Sequence, residues 1–456
     1  MHTNTNTLAT LGRCFLLILC CGVAVASEVK VKVKVEAEVD EVLRAGQSAR
    51  VLVWLGSDGE AMRGASAEAS VAALLRAAPA IEAKILRRFQ TVPAFAAELD
   101  ADDIAALRAA GMDLRIGLDV GGSGGLQQSI PLAQVTPVQL AGLDGSGRKV
   151  VIIDSGLRLD HESFAGRIVD EACFCTTCCP NGQTTQFGAG AAADGHGHGT
   201  NVGGIAVGAA EVTGVPRGVA SGADIVAVRV LDQNNSFCCV SDVIAALDWV
   251  RVQHPDATVL NASLGTTARF EGDCDSATSF TLSFANLING LRSGGMLSTV
   301  SSGNNGASTT MQAPACVASA LSVGAVYDAN VGSQSFGNVC TAVTTTADQV
   351  TCFSNLSTTT DLLAPGAPVT AAGRGSPTGV SVFSGTSMAA PLTAGCIALL
   401  KQADPSASPA AIETALEAST VRLLRPPMTQ DYPRLDCADA LLRLDAPLFR
   451  NGFEAP

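Results

Sequence analysis

From Arg148 onward, short runs of β-branched and aliphatic residues alternate with longer stretches of helical spacing. The apolar runs 149–153, 224–230, 258–262, 296–300 and 320–326 predict strands. Helices are expected near 200–209, 240–253, 279–294, 386–402 and 408–418. Strands that read as continuous apolar runs, each followed by a helix, imply a parallel sheet with helices on both faces. The N-terminal third follows another rule. Val29, Val31, Val33 and Val35 alternate with Glu28, Lys30, Lys32, Lys34 and Glu36, a period-two strand or extended segment. Arg50 to Leu55 predicts a strand, Ala65 to Arg88 a helix, Pro93 to Leu99 a strand, Asp100 to Gly111 a capped helix and Leu114 to Val120 a strand. Residues 48–120 therefore predict a β-α-β-α-β module. Gly121-Gly122-Ser123-Gly124-Gly125 predicts a flexible linker with a processing site between about Val120 and Gln134.

Composition narrows the class. Of 456 residues 47% are hydrophobic and only 16% charged, so a large core is available; the net charge of −13 argues against nucleic-acid binding. Arg13 precedes the apolar run Cys14 to Ala26, which ends in Ala24-Val25-Ala26. That pattern predicts a secretory signal over residues 1–26, cut before Ser27, and hence a secreted protein. No stretch is long and apolar enough to predict a membrane-spanning helix. Of the 15 cysteines, 12 remain after the signal, an even number that suits an oxidising compartment. Cys340 with Cys352 and Cys274 with Cys316 are expected pairs, and Cys396 is expected as a buried free thiol. Cys173, Cys175, Cys178 and Cys179 admit disulfides or a metal site; export favours disulfides.

Four segments carry candidate chemistry. Ser387 lies in Gly385-Thr386-Ser387-Met388-Ala389-Ala390-Pro391, a glycine-led turn entering a helix, where backbone N–H groups can stabilise an oxyanion. A serine nucleophile needs a base and the base needs an orienting carboxylate. His198 is flanked by glycines in Gly195-His196-Gly197-His198-Gly199-Thr200. Asp154 ends the apolar strand Val150-Val151-Ile152-Ile153, at the edge where open α/β sheets place their sites. Asn304, in Ser302-Gly303-Asn304-Asn305-Gly306, has an amide able to donate to an oxyanion. Taken singly, these segments read equally as a helix cap, a glycine-rich loop, a strand-end cap and a turn. Their chain order, Asp, His, Asn, Ser, is the order of subtilisin rather than of chymotrypsin or the α/β-hydrolases.

On Asp154-Ser155-Gly156, His198-Gly199-Thr200, Ser302-Gly303-Asn304 and Gly385 to Pro391, the chain resembles the subtilisin-like serine proteases over about residues 130 to 420. The resemblance implies a serine endopeptidase with Asp154, His198 and Ser387 as triad and Asn304 in the oxyanion hole. It implies that Ser263, Leu264 and Gly265, with Ser302 and Gly303, bind substrate, and that His196 borders the S2 side. Asn201 departs from the family, where a second histidine often follows the Gly-Thr. The N-terminal module resembles an inhibitor-type propeptide, so the expected organisation is a signal peptide over 1–26, a propeptide over 27–125, a catalytic domain over 126–425 and a tail over 426–456. Expected partners are polypeptide substrates and the chain's own propeptide, with no nucleic acid and no membrane span, on a monomer. No cofactor is required by the chemistry and no metal ligands are nameable; a structural calcium ion enters only through the resemblance. The sequence admits two rivals: a catalytically silent peptide-binding relative, and an acid-active carboxyl-type peptidase that shares the Ser-Gly-Thr-Ser segment but lacks a histidine base.

Overall fold

The computed structural model describes residues 33–56, 67–119, 122–124, 131–209, 212 and 214–444. The expected signal peptide and the last residues of the tail lie outside them. An eight-stranded sheet organises the larger part of the chain, in the order 362–367, 321–327, 297–301, 259–262, 149–154, 224–229, 168–174, 185–187. Neighbours are parallel throughout the first seven, and only the edge strand Thr185–Phe187 is antiparallel. The five strands predicted from apolar runs all lie in this sheet. Three went unpredicted: Ile168–Phe174, Thr185–Phe187 and Leu362–Ala367. Asp170 and Glu171 interrupt the first, and Pro365 lies in the last, which sits at the sheet edge where a missing N–H is tolerated.

Helices cover both faces. His198–Val207 and Thr386–Ala403 share one core with Val150, Ile152, Leu321 and Val323. Val240–Gln253 and Ser279–Ser293 share the other with Val151, Ile153 and Leu260. Odd and even residues of one strand thus feed opposite cores, as a strand buried on both faces requires. Leu435, Cys437, Ala440 and Leu441, beyond the predicted catalytic segment, belong to the first core.

The N-terminal module is a five-stranded sheet in the order 33–35, 114–118, 49–55, 94–99, 85–88. Its helix Ala101–Ala109 starts at a capping box: Asp100 accepts from Asp103 N, and Asp103 accepts from Asp100 N at 2.9 Å. Residues 65–88 differ from the single predicted helix. The helix stops at Ala77, followed by a 3-10 turn over Pro79–Lys84 and a strand over Ile85–Arg88. Pro79 is the reason, since the residue before a proline is pushed out of helical geometry. A helix over Ala37–Arg44 follows the first strand and was not predicted.

Among the described residues six disulfides form: 173–179, 175–178, 238–239, 274–316, 340–352 and 396–437. The two expected pairs are present. The expectation of a free Cys396 is overturned: its partner, Cys437, is 41 residues away and reaches it through the helix Cys437–Arg443. The cysteines of 173–179 pair with one another, which removes the metal alternative.

One buried carboxyl predicts a pH effect on stability. Asp361 accepts from Ser322 N at 2.7 Å and from Ser322 Oγ at 2.8 Å. Burial pushes its pKa up to about 7, with smaller contributions from Glu417 and Glu413. An unfolded aspartate titrates near 3.9. The folded chain therefore holds a proton that the unfolded chain has lost, and stability falls as pH rises from about 4 to about 7. In an inactive background, Asp361→Asn should flatten that slope and raise Tm above pH 7. Calorimetry at pH 5 and pH 8 checks it; an unchanged slope would count against the assignment.

Candidate functional site

The site is built at the C-terminal edge of the parallel sheet. Strand Lys149–Asp154 delivers Asp154, fully buried, at its last position. Asp154 Oδ1 accepts from His198 Nδ1 at 2.6 Å and from Ser155 N at 2.7 Å. His198 is the first residue of its helix. The next residue must be small: a Cβ on Gly199 would lie 2.1 Å from Gly156 O. Both His198 and Asp154 are inaccessible to solvent, and among the described residues His198 Nε2 has no hydrogen-bond partner.

The turn that holds His198 is pinned by a residue the sequence reading did not single out. Asp194 Oδ1 accepts from Ser155 Oγ, His196 N and Gly197 N, each at 2.8 Å. Its Oδ2 accepts from Thr200 N at 3.1 Å and also from the Thr200 hydroxyl. Ser155 Oγ in turn accepts from Gly199 N at 2.9 Å. One half-buried carboxylate thereby ties the end of the Asp154 strand to both sides of the histidine. The available signal was an acid four residues before His198 and six before Thr200.

Ser387 is the second residue of Thr386–Ala403 and is 1% exposed. Its Oγ donates to Ser263 O at 3.3 Å, and Ser263 Oγ donates to Ser387 O at 2.7 Å. The second bond has a local cause. Pro391 stands four residues after Ser387 inside the helix, so it has no N–H for the Ser387 carbonyl. Ser263 supplies the missing donor and fixes the strand beside the helix start.

Asn304 faces the same helix start. Its Oδ1 accepts from Thr386 N at 2.8 Å and from Thr386 Oγ1 at 3.0 Å, which leaves the NH2 of the amide as its donor end. Gly303 N donates to Thr386 Oγ1 at 3.1 Å. Behind this turn lies Asn355, also missed from sequence. Its Oδ1 accepts from Asn305 N and Ala307 N, and its Nδ2 donates to Ser302 O. The structure thus joins Asp154 to His198, and ties Ser263 to Ser387 and Gly303 and Asn304 to the adjoining Thr386, although the segments concerned lie up to 233 positions apart, Asp154 to Ser387.

His196 lies beside this group. Its ring stacks on Phe383 at 6.4 Å between centroids and stands 6.5 Å from the His198 ring. Burial, then the neighbouring His198, lower its pKa. Asn201, where the family resemblance led to a histidine, is buried and donates to Ser381 O and Ser381 Oγ at 3.0 Å each.

The glycine-rich segment expected as a flexible linker is different in the structure. Gly122–Gly124 forms a strand between Ser236–Phe237 and Leu264–Thr266, antiparallel to both. Gly121 and Gly125 lie outside the described residues. Two free strand edges supply the partners that composition could not reveal. Among the described residues no three His, Cys, Asp or Glu side chains converge as metal ligands, so the calcium ion that the resemblance allowed finds no such cluster.

A family model described as the subtilase family matches residues 145–438. The chain belongs to the subtilase family. It is 34% identical over 272 residues to an extracellular serine proteinase of Thermus sp. (strain Rt41A), covering 60% of this chain and 55% of that one. It is 31% identical over 355 residues to an alkaline protease of Shouchella clausii, covering 77% and 80%. It is 32% identical over 273 residues to subtilisin-like protease 2 of Pseudogymnoascus destructans, covering 60% and 56%. This subtilase therefore spans little more than half the length of the Thermus and Pseudogymnoascus proteins. The crystal structure of a cold-adapted subtilisin-like serine proteinase aligns with a TM-score of 0.47 at 25% identity, over 65% of this chain and 90% of that one.

Proposed function

We propose that this subtilase is a secreted serine endopeptidase made as a self-processing precursor. The observation that carries the reading is the buried Asp154–His198 pair, whose outer nitrogen, His198 Nε2, has no partner among the described residues, on a chain whose Ser387 opens a helix. Asp154 holds the imidazole in the tautomer that leaves Nε2 basic. His198 takes the Ser387 proton as Oγ attacks the scissile carbonyl and returns it to the leaving amine; water repeats the sequence in deacylation. The Asn304 amide and the Ser387 N–H stabilise the oxyanion, and Thr386 pre-aligns the amide by occupying its oxygen. A base of this kind also speaks against the acid-active rival. The six disulfides support export.

The N-terminal module acts as propeptide in this reading. Leu52, Trp54, Phe89 and Val92 from the module pack in the same core as Val151 and Phe284. Asp119 accepts from Ser241 N and Ser241 Oγ at 2.6 Å each, at the start of Val240–Gln253. Glu36 accepts from Ser279 N at 2.7 Å, at the start of Ser279–Ser293. Two carboxylates so placed complement the positive helix ends. Gly122–Gly124 then reads as the acyl-side end of the propeptide, lying in the substrate groove.

The register of that strand points to the bond that is cut. Gly122 pairs with Thr266, Ser123 with Gly265 and Gly124 with Leu264. The next position on the domain strand is Ser263, whose carbonyl is 3.3 Å from Ser387 Oγ. In this reading the cut falls one residue beyond the paired strand in sequence, at Gly125–Leu126. N-terminal sequencing of the secreted product is expected to begin at Leu126, with Ser387 labelled by a fluorophosphonate. An unprocessed, unlabelled product would overturn the reading.

A further inference from the structure

The groove next to Ser387 has two walls. One is Ser263–Gly265, tied to the nucleophile helix through Ser263. The other is Ser302–Asn304, tied to it through Thr386. On the reading that Ser387 attacks the carbonyl, the side chain of the residue donating that carbonyl has to enter between them. Both walls present a glycine, Gly265 and Gly303, as though space were needed. The space is already taken. A Cβ on Gly265 would meet Gln312 Oε1 at 2.8 Å and Gln312 Cβ at 2.9 Å. A Cβ on Gly303, whose φ is +107°, would meet the same Oε1 at 2.4 Å. The Gln312 carboxamide therefore touches both walls at once.

Gln312 is also held there. It ends the short strand Thr310–Gln312, which pairs antiparallel with Arg269–Glu271. Its Nε2 donates to Thr266 O at 2.6 Å, on the continuation of the first wall. Its backbone carbonyl accepts from Cys316 N at 3.2 Å, and Cys316 is closed to Cys274 by a disulfide. Swinging the side chain out would break its bond to Thr266 and leave the carbonyl of a buried residue short of a donor. A large aromatic or aliphatic side chain in this pocket has to displace it. Glycine, alanine or serine does not.

A separate observation agrees. The strand that the chain lays along the first wall is Gly-Ser-Gly, and the residue that follows it in sequence is again glycine.

We propose that Gln312 closes the S1 pocket of this enzyme, so that it cuts after glycine, alanine or serine and discriminates against large hydrophobic residues. The inference rests on the assignment of Ser387 as nucleophile. The test uses the mature secreted enzyme, with active sites counted by fluorophosphonate labelling, on tetrapeptide p-nitroanilides that differ only in an alanine or a phenylalanine at the cleaved side. The alanyl substrate is expected to have the higher kcat/KM by about tenfold or more, the range that pocket size alone supplies. Gln312→Gly is expected to reverse that ratio, and Gln312→Ser to move it in the same direction. A wild-type preference for phenylalanine, or a ratio unmoved in folded, labelled variants, would overturn the proposal. Absence of labelling in the wild type would instead sink the nucleophile assignment, and the pocket proposal with it.

Discussion

Replacing Ser387 with alanine is expected to lower kcat by roughly 10⁶, the size of loss seen when a subtilisin is deprived of its serine. The protein should still fold. Alanine is the best helix former, and the position lies in the first turn of a long helix. The bond from Ser263 Oγ goes to the backbone carbonyl of residue 387, which survives the change. Only the hydroxyl, 3.3 Å from Ser263 O, is removed. On the self-processing reading, the variant should accumulate as uncut precursor with the module in place. Intact mass and casein hydrolysis check both halves of the expectation. A variant that matured and cleaved casein like the parent would remove Ser387 from the mechanism. The same variant is the background in which stability can be measured without self-digestion.

Asp154→Asn is expected to cost about 10⁴ in kcat, the figure for the corresponding change in a serine protease triad. The physical reason is the tautomer. Asp154 Oδ1 accepts from His198 Nδ1 and from Ser155 N. Both donors meet the same oxygen, so an asparagine that turns its NH2 to that position presents a donor where the ring needs an acceptor. With an NH2 facing Nδ1, the imidazole proton moves to Nε2, and the base toward Ser387 is lost. The geometry should change little, since Asn fills the same buried volume. The informative comparison is with Asp154→Ala, which opens a cavity as well as removing the acceptor. If Asn and parent turned over alike, the carboxylate would have no orienting role. A drop shared equally between kcat and affinity for a peptide inhibitor would point to a collapsed groove instead.

Several parts of this molecule were open to reading because they are local. Val150 to Ile153 is apolar on both faces, and only a strand inside a parallel sheet buries both. The helix starting near Ser387 follows from the small residues of 386–403. Cys340 and Cys352 lie close enough in sequence for their pairing to be anticipated. The failures are equally specific. Pro79 ends a helix that apolar spacing alone extends to Arg88. The charged pair Asp170-Glu171 hid a sheet strand, because its side chains are satisfied outside the pattern that periodicity detects: Glu171, for instance, accepts from Gly190 N and Ala192 N. Composition alone made 121–125 a linker, whereas its central residues pair on both edges.

By itself, the sequence determined the alternating α/β class, the family, and the four segments that carry the candidate chemistry. These depend on residue type and short spacing, which survive without coordinates. Tertiary structure decided the rest: that Cys396 meets Cys437, that Asp194 and Asn355 hold the turns around His198 and Asn304, that Gly122–Gly124 lies between two strand edges, and that Gln312 lies against both Gly265 and Gly303. Each of these joins groups well apart in sequence or belongs to a side chain whose partner is a backbone atom elsewhere in the fold. Hydrogen bonds are short and directional, so such partners exist only once the apolar core has brought the backbone into register.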